Sequence, residues 1–362
     1  MSSTRTPEAR ELVFYGSSPM NYVIFRPVHQ RLLRDPRLNV WLTGKCMNSN
    51  NPWKLYREFG IDRKTVIRLF SARLRKFDLY LVARWRVALP KIPRKVHFFH
   101  GVSFKNYAIS KHARDFDRLF IVGDYHRRML IKNNILGEGD ERIAMVGMPK
   151  TDCLVDGSLD RERILTNLGV DHTRKTILYA PTWSEHSSLF TMGEKILESV
   201  GKRNVNLLVK LHDSLFDPKR SSVNWRERLA KYERDNVKIV RDWDVCPYLF
   251  ASDILISDAS SVSSEYTLLD RPIIFIQVPE LIKQWKNADL DTWGQKTGWT
   301  AGSIDELHES IDAALNDPMK HSEIRRAAAA DLFHKPGTAT DRAVAEIYHM
   351  LELDPPSEGE NS

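Results

Sequence analysis

The sequence predicts an α/β protein in which parallel β-sheets alternate with helices. The clearest pattern lies between Val237 and Val278, where two apolar runs, Ile254–Ile256 and Ile273–Ile276, flank a polar turn and a helical pattern over Val262–Leu269. Short runs of this kind are typical of strands buried on both faces of a parallel sheet. The same alternation occurs in both halves of the chain, so we expect two sheets.

The first half alternates between strands and helices after a loose N-terminal tail. The predicted strands are Glu11–Gly16, Leu38–Thr43, Asp78–Val82, Val96–Phe99, Leu119–Val122 and Ile143–Val146, and the predicted helices include Asn21–Arg34 and Tyr125–Asn133. No G-x-G-x-x-G motif occurs among them, so the fingerprint of a dinucleotide-binding fold is absent.

The second half repeats the pattern. The predicted strands before the segment described above are Thr176–Ala180, Asn206–Leu211 and Val237–Val240, and the predicted helices are Arg161–Leu168, Gly193–Lys202, Trp225–Arg234, Ile304–Leu315, Ser322–Leu332 and Thr340–Leu353. We therefore expect an N-terminal domain over residues 1–155 and a C-terminal domain over 156–337. A final helix over 338–353 is expected to pack back on the N-terminal domain, and a disordered tail over 354–362 follows.

Composition indicates an ordinary globular chain with a mildly basic balance. The 362 residues contain 54 Lys and Arg against 47 Asp and Glu, a formal charge of +7, which suits anionic partners. The three cysteines are far apart in sequence and predict neither a disulfide framework nor a zinc site, so a reducing cytosol is expected. No apolar run has the length of a transmembrane helix, and the N-terminus does not read as a secretion signal.

The most basic stretch lies between residues 60 and 95. It contains 11 Lys and Arg, from Arg63 to Lys95, against the two acids Asp62 and Asp78. A solvated face would explain this pattern, and so would a surface for anionic lipid or for a phosphate-rich acceptor. Because no nucleic-acid-binding motif accompanies the charge, nucleic acid is not expected as a partner.

The turn Asp258–Ser261 is the first candidate site. It follows a predicted parallel strand, and open α/β sheets bind ligands at the carboxyl ends of their strands. Ser260 and Ser261 supply hydroxyl groups at a helix start that favours an anion, and Glu265 lies one turn later on the face of Ser261. A nucleotide would fit, with phosphate at the serines and ribose at Glu265. The alternative is that Ser260 merely caps the helix.

Other strand ends carry polar residues as well. Thr182 and His212 follow two further strands of the second half, which places them at the same sheet edge as Asp258 if the strands are parallel. In the first half, His100-Gly101 follows a strand directly, with Lys105 nearby. His97 and His100 point to opposite faces of the strand, so they do not form a metal pair, and His100 is the better candidate for a general base. Together these positions predict a cleft between two Rossmann-like domains.

Several motifs resemble those of the CDP-glycerol glycerophosphotransferases, the teichoic-acid primases and polymerases of bacteria. The segments that carry the resemblance, in chain order from about residue 95 to 350, are HGVSFK at 100–105, GMPKTD at 147–152, LYAPT at 178–182, KLH at 210–212, SDILISDASS at 252–261, RPIIF at 271–275 and PGTATDR at 336–342. The sequence departs from the family pattern at four positions, which are Ser184, Lys210, Asp213 and Ala259.

The resemblance implies a glycosyltransferase-B fold and the transfer of glycerol phosphate from CDP-glycerol to an acceptor hydroxyl, with release of CMP. It implies catalytic or pyrophosphate-binding roles for His100 and His212, and no tightly bound cofactor. Family enzymes are located at the inner face of the cytoplasmic membrane, which implies a lipid-linked or glycan acceptor and an anionic membrane surface as partners. The predicted donor-binding residues are Gly101, Lys105, Thr182, Lys210, Asp258, Ser260, Ser261 and Glu265, and no metal site is predicted.

Two other functions remain compatible with the sequence. One is a nucleotide-sugar glycosyltransferase or a UDP-sugar 2-epimerase on the same fold. The other is a non-catalytic protein that binds anions or is recruited to membranes.

Overall fold

The computed structural model describes residues 9–46, 51–85, 87–99, 101–102, 110–216, 221–285, 289 and 291–356. Within these residues the chain forms two six-stranded sheets, one in each of two compact units. Unit 1 contains the described residues up to Phe99, those from Ser110 to Asp152 and those from Phe333 onward, whereas unit 2 contains Gly101, Val102 and Cys153–Leu332. The predicted α/β class with two parallel sheets is confirmed. The unit boundaries lie a few residues before the expected positions, 155 and 337.

Unit 1 is built on a fully parallel sheet with the strand order β2-β1-β3-β4-β5-β6. Its elements are β1 Arg10–Gly16, α1 Pro19–Leu32, β2 Leu38–Gly44, α2 Leu69–Leu74, β3 Leu79–Val82, β4 Arg94–Phe98, β5 Arg118–Ile121, α3 Asp124–Lys132 and β6 Ile143–Met145. The strand β3 is buried at every residue and β5 at all but its first, as the apolar runs predict, because helices cover both faces of such a sheet.

The last helix of the chain completes the core of unit 1. This helix, α12 (Ala339–Leu351), buries Ala343, Ile347 and Tyr348 against α1 and the sheet. Its first turn is held by Asp152, whose carboxylate accepts hydrogen bonds from the N–H groups of Ala339 and Thr340 at 3.0 and 2.7 Å. A carboxylate at this position satisfies amides that have no partner within the helix.

Unit 2 is built on the second parallel sheet, with the order β12-β11-β10-β7-β8-β9. Its elements are α4 Arg161–Leu168, β7 Lys175–Tyr179, α5 Ser188–Gly201, β8 Val205–Lys210, α6 Trp225–Ala230, β9 Val237–Val240, α7 Cys246–Ala251, β10 Ile254–Ser257, α8 Val262–Tyr266, β11 Ile273–Ile276, α9 Pro279–Lys283, β12 Trp299–Ala301, α10 Ile304–Asn316 and α11 Ser322–Leu332. Because β7 lies between β10 and β8, the carboxyl ends of these three strands are neighbours at one sheet edge.

Three predicted helices of unit 2 have other bounds in the structure, and the short helices α7 and α9 were not predicted. The helix predicted from Gly193 begins at Ser188, because long-range hydrogen bonds to Ser188 fix its first turn. The helix expected to reach Arg234 ends at Ala230, since the Arg234 backbone pairs with that of Val237 instead. The helix α8 is α-helical only to Tyr266 and continues as a 3-10 turn. Among the described residues, no helix combines the length and the apolar character that crossing a membrane requires.

Candidate functional site

Unit 2 contains a cavity of about 290 Å³ at the carboxyl end of β10. One wall is the polar turn Asp258–Ser261, together with Val102. The other wall is contributed by the end of β11 and the segment after it. Phe275, Ile282 and Trp285 are its apolar part, and Asp289, Gly294, Gln295 and Lys296 also line it. Concave sites with one apolar wall and a few convergent polar groups are typical of small-molecule binding.

Asp258 organises the polar wall. Its buried carboxylate accepts hydrogen bonds from the N–H groups of Thr182 at 2.8 Å, Ala259 at 2.6 Å and Ser188 at 2.9 Å, and from the Ser188 hydroxyl at 2.8 Å. Burial, and then the Asp258 charge, raise the pKa of the Tyr179 hydroxyl well above its usual value, so this neighbour stays protonated. The carboxylate therefore joins the turns after β7 and β10, and its oxygens are engaged by the protein itself.

The two serines of the turn keep their hydroxyl groups available. Their backbone carbonyls accept hydrogen bonds, Ser260 O from Ser263 and Ser261 O from Ser264, which starts α8. The Ser261 side chain does not cap the helix, and among the described residues neither serine hydroxyl has a hydrogen-bond partner. The capping interpretation is therefore wrong for this turn, and both hydroxyls lie at the cavity.

Gly101 approaches the same serine pair. Its backbone has φ of +156°, and a Cβ placed on it would lie 3.3 Å from Ser261 Oγ. A side chain at this position would crowd the hydroxyl group, so the glycine keeps Ser261 accessible. Of the predicted site residues, the structure thus brings together Gly101, Asp258, Ser260 and Ser261.

Thr182 and Glu265 are buried beside this group but do not line the cavity. The Thr182 amide is bound to Asp258, and its hydroxyl is buried without a hydrogen-bond partner among the described residues. Glu265 is 1% exposed, and its backbone N–H donates to Ser261 O at 3.3 Å. Thr182 is thus linked to the serine turn through Asp258, and Glu265 follows the turn one helical turn later.

Lys210 is the last residue of β8, the neighbour of β7 in the sheet, and His212 follows two residues later. The Ser214 N–H donates to His212 Nδ1 at 3.1 Å, so the ring proton of a neutral His212 is on Nε2. The imidazole is exposed, and its centroid lies 6.0 Å from that of Trp183. The Lys210 ammonium, by contrast, is buried and donates to Leu211 O at 3.0 Å and to Asp213 at 3.4 Å. A neutral His212 therefore has its ring N–H at Nε2, whereas the Lys210 charge is neutralised within the loop.

Two predicted residues, His100 and Lys105, lie outside the described residues. The strand before them, β4, carries His97, which is buried and stacks on Trp85 with ring centroids 3.9 Å apart and 8° between the planes. His97 thus packs inside unit 1.

The apolar wall of the cavity was not predicted. Phe275 was assigned only to a strand core, and Trp285, Gln295 and Lys296 fall between elements where periodicity carries no signal. The adjacency of β11 to β10 is the feature that identifies them, because residues after β11 then face the turn after β10. The sequence alone does not show which strands are neighbours, so these residues could not be predicted.

Two fully parallel α/β units, one of which carries a ligand-sized cavity at the carboxyl end of its central strands, define a two-domain fold of the glycosyltransferase-B class. Comparison with known proteins identifies the family within this fold class. The sequence profile of the family described as CDP-Glycerol:Poly(glycerophosphate) glycerophosphotransferase matches residues 96–348. This match covers well over half of the chain, and the protein belongs to this family.

Individual relatives agree with the family. A teichoic acid glycerol-phosphate primase from Bacillus spizizenii is 32% identical over 165 residues, which cover 44% of this chain and only 40% of the relative. A CDPG-soaked variant of the wall teichoic acid polymerase TagF has a similar fold, with a TM-score of 0.69, 17% identity and coverage of 96% of this chain and 90% of that one. A UDP-N-acetylglucosamine 2-epimerase shares the fold with a TM-score of 0.61, 16% identity and coverage of 98% and 99%. Both structural likenesses concern the fold alone.

Proposed function

We propose that this protein transfers glycerol phosphate, or a related polyol phosphate, from a CDP-activated donor to an acceptor hydroxyl in the synthesis of a cell-surface polymer. The observation that carries the proposal is the pair of available hydroxyls, Ser260 and Ser261, on a turn that Asp258 fixes at the edge of the cavity. Membership of the glycerophosphotransferase family supports the same chemistry.

The proposed donor extends along the cavity from the serines. The diphosphate accepts hydrogen bonds from Ser260 and Ser261, and the apolar wall with Phe275 and Trp285 covers the nucleoside. Glu265, the ribose-binding residue predicted from the sequence, lies one helical turn beyond Ser261 but is 1% exposed and outside the cavity lining, so the proposed donor contacts do not include it. Hydroxyl donors suit phosphate oxygens, because hydrogen bonds to a charged acceptor are about twice as strong as neutral ones.

The proposed reaction is a displacement at the β-phosphorus of the donor. His100 takes the proton from the acceptor hydroxyl, whose oxygen forms a new bond to phosphorus. The bond between that phosphorus and the bridging oxygen breaks, and CMP leaves with the negative charge. The serine hydroxyls and the Nε2–H of His212 stabilise this charge, and Lys105 adds a positive charge nearby.

The acceptor and the location of the protein are also part of the proposal. The basic stretch between residues 60 and 95 suits an anionic membrane surface, which would hold the protein at the inner face of the cytoplasmic membrane next to a lipid-linked acceptor. Part of the stretch serves the fold, since Arg94 pairs with Glu352 and the Arg75 guanidinium lies 3.9 Å from the Trp41 ring.

The serine pair gives the direct test of donor binding. In the double variant Ser260→Ala/Ser261→Ala, we expect the Kd for CDP-glycerol to rise about a hundredfold, since two hydrogen bonds to a charged group are lost at about 1.5 kcal/mol each. Isothermal titration calorimetry measures the affinity, and Ser158→Ala, an exposed serine of unit 2, is the matched control. An unchanged Kd in the double variant would exclude the serines from the donor site.

A further inference from the structure

Unit 1 contains a second concave site, which the donor chemistry does not use. It is a cleft of about 600 Å³ at the carboxyl ends of β1 and β2, next to α2. Its lining includes Gly44, Lys45, Arg68, Phe70 and Arg73. We call it the basic cleft.

The sheet positions the cations of the basic cleft. The Ile67 N–H donates to Leu42 O at 2.9 Å, and the Thr43 hydroxyl donates to Ile67 O at 2.9 Å. The segment that leads into Arg68 is therefore fixed against the end of β2. Gly44 forms part of the lining, where a Cβ would lie 2.1 Å from Gly16 O. No side chain can occupy this point, so the cleft stays open beside Lys45.

Lys45, Arg68 and Arg73 have no anionic partner among the described residues. Within the part of the chain that the structure describes, none of these three forms an ion pair or a side-chain hydrogen bond, and no acidic residue lines the cleft. Other cations of the same stretch are engaged, for example Arg84, which donates to Ser17 Oγ at 2.5 Å. Three like charges around one concavity repel each other, and an anion with two negative charges offsets that repulsion.

An apolar surface adjoins these charges. Phe70 lines the cleft and is 72% exposed, and Leu74, four residues later on α2, is 73% exposed. Residues four apart lie on one helix face, so the two side chains form a continuous apolar strip. Large apolar side chains exposed next to a ring of cations fit a ligand with an anionic head and an apolar chain.

We propose that the basic cleft binds the phosphate group of a single amphiphilic molecule, with the apolar chain of that molecule against Phe70 and Leu74. Arg68 and Arg73 provide forked guanidinium donors that match phosphate oxygens, and Lys45 adds a point charge.

Dodecyl phosphate, kept below its micelle-forming concentration, is the probe for the test. We expect the unmodified protein to bind it, and the double variant Arg68→Ala/Arg73→Ala to bind it at least about tenfold more weakly, because two charged hydrogen-bond donors are lost. The matched control is Arg63→Ala/Lys64→Ala, which removes the same charge from the same stretch but outside the cleft. Its affinity should stay within about twofold of wild type, since exposed charges act weakly at physiological salt.

A second variant tests the apolar part. Phe70→Ser should weaken the binding of dodecyl phosphate about tenfold, because one aromatic contact with the apolar chain is lost. The binding of inorganic phosphate should stay unchanged. The neutral dodecyl maltoside should not bind. Equal losses in both double variants, equal binding of the maltoside, or no effect of Phe70→Ser would each overturn the proposal.

Two further measurements separate this site from membrane attachment and from the donor. Binding to phosphatidylglycerol vesicles should fall equally in the two double variants. If the cleft variant loses vesicle binding but keeps the affinity for monomeric dodecyl phosphate, the cleft is a membrane contact and the proposal fails. CDP-glycerol affinity should be unchanged in both variants. A wild-type protein that binds dodecyl phosphate but not CDP-glycerol would contradict the proposed function and leave the cleft site standing.

Discussion

The substitution Asp258→Asn perturbs the turn that carries the candidate site. Asparagine keeps one acceptor oxygen and replaces the other with an NH₂ group, so the change is nearly isosteric. In the favourable orientation, the oxygen stays with Thr182 and Ala259, and the NH₂ group meets the Ser188 N–H, which is 2.9 Å from the carboxylate. Two donors then face each other at a buried point.

The expected loss in the free energy of unfolding follows from these contacts. A buried N–H left without an acceptor costs about 1–3 kcal/mol, and the remaining bonds lose the strength that the negative charge gives them. We therefore expect the free energy of unfolding to fall by about 3 kcal/mol. Because α5 begins at Ser188, its first turn should loosen, the serine turn should shift, and CDP-glycerol affinity should fall as well.

Urea unfolding followed by tryptophan fluorescence measures the stability, with calorimetry for the affinity. Asp235→Asn is the control, because it makes the same chemical change at an exposed position of unit 2 and should stay within about 0.5 kcal/mol of wild type. If Asp258→Asn also stays within that range, the carboxylate does not organise the turn. If stability falls while donor affinity is unchanged, the turn does not carry the donor.

Two further predictions concern buried ionisable side chains away from the cavity, His29 and Arg325. Burial lowers the pKa of His29 to about 4, below its ordinary value of 6.5, so wild-type stability should be full above pH 6.5 and fall by about 3 kcal/mol as the pH drops to 4. His29→Gln should remove this pH dependence, and unfolding curves with parallel pH profiles for both proteins would contradict it. Arg325→Met should cost about 3 kcal/mol, because the fully buried guanidinium donates to Asp270 at 2.9 Å. Arg326→Met, an exposed neighbour of the same carboxylate, should change the unfolding free energy by less than about 0.5 kcal/mol, and equal losses would refute the buried role.

Local patterns in the sequence were sufficient for most strands. Apolar runs such as Ile254–Ile256 and Ile273–Ile276 carry their own signal, because both faces of a parallel strand are buried. Helix starts that depend on distant partners were missed. The N–H of Ser188 bonds to Asp258, 70 residues away in sequence, and no local pattern reports such a contact.

The candidate site was predicted only in part, because some of its residues are identified by local sequence patterns and others only by tertiary contacts. Strand-end position identified the serine turn and Gly101, since the carboxyl ends of parallel strands are places where ligands bind. The internal pairing of Lys210 depends on the loop conformation, which places Leu211 O and Asp213 around its ammonium group. The apolar wall depends on strand order, which the chain does not display locally.

The number of cations in the basic stretch does not predict which of them can bind a ligand. In sequence its 11 cations form one class, but the fold separates them. Arg94 pairs with Glu352, a residue 258 positions away, and Arg75 lies on Trp41, whereas Arg68 and Arg73 line an open cleft. Only the tertiary contacts distinguish cations that serve the fold from those available to a ligand.

The most direct test of the proposed function follows the phosphorus atom. The protein is incubated with CDP-glycerol and a polyol-phosphate acceptor, and ³¹P NMR records the products. We expect CMP and a new phosphodiester in equal amounts, and a rate that falls about 10²–10⁴-fold in His100→Ala. UDP-N-acetylglucosamine should release neither UDP nor UMP. Absence of CMP with every CDP-activated polyol, or turnover of the UDP-sugar in place of CDP-glycerol, would contradict the proposed reaction.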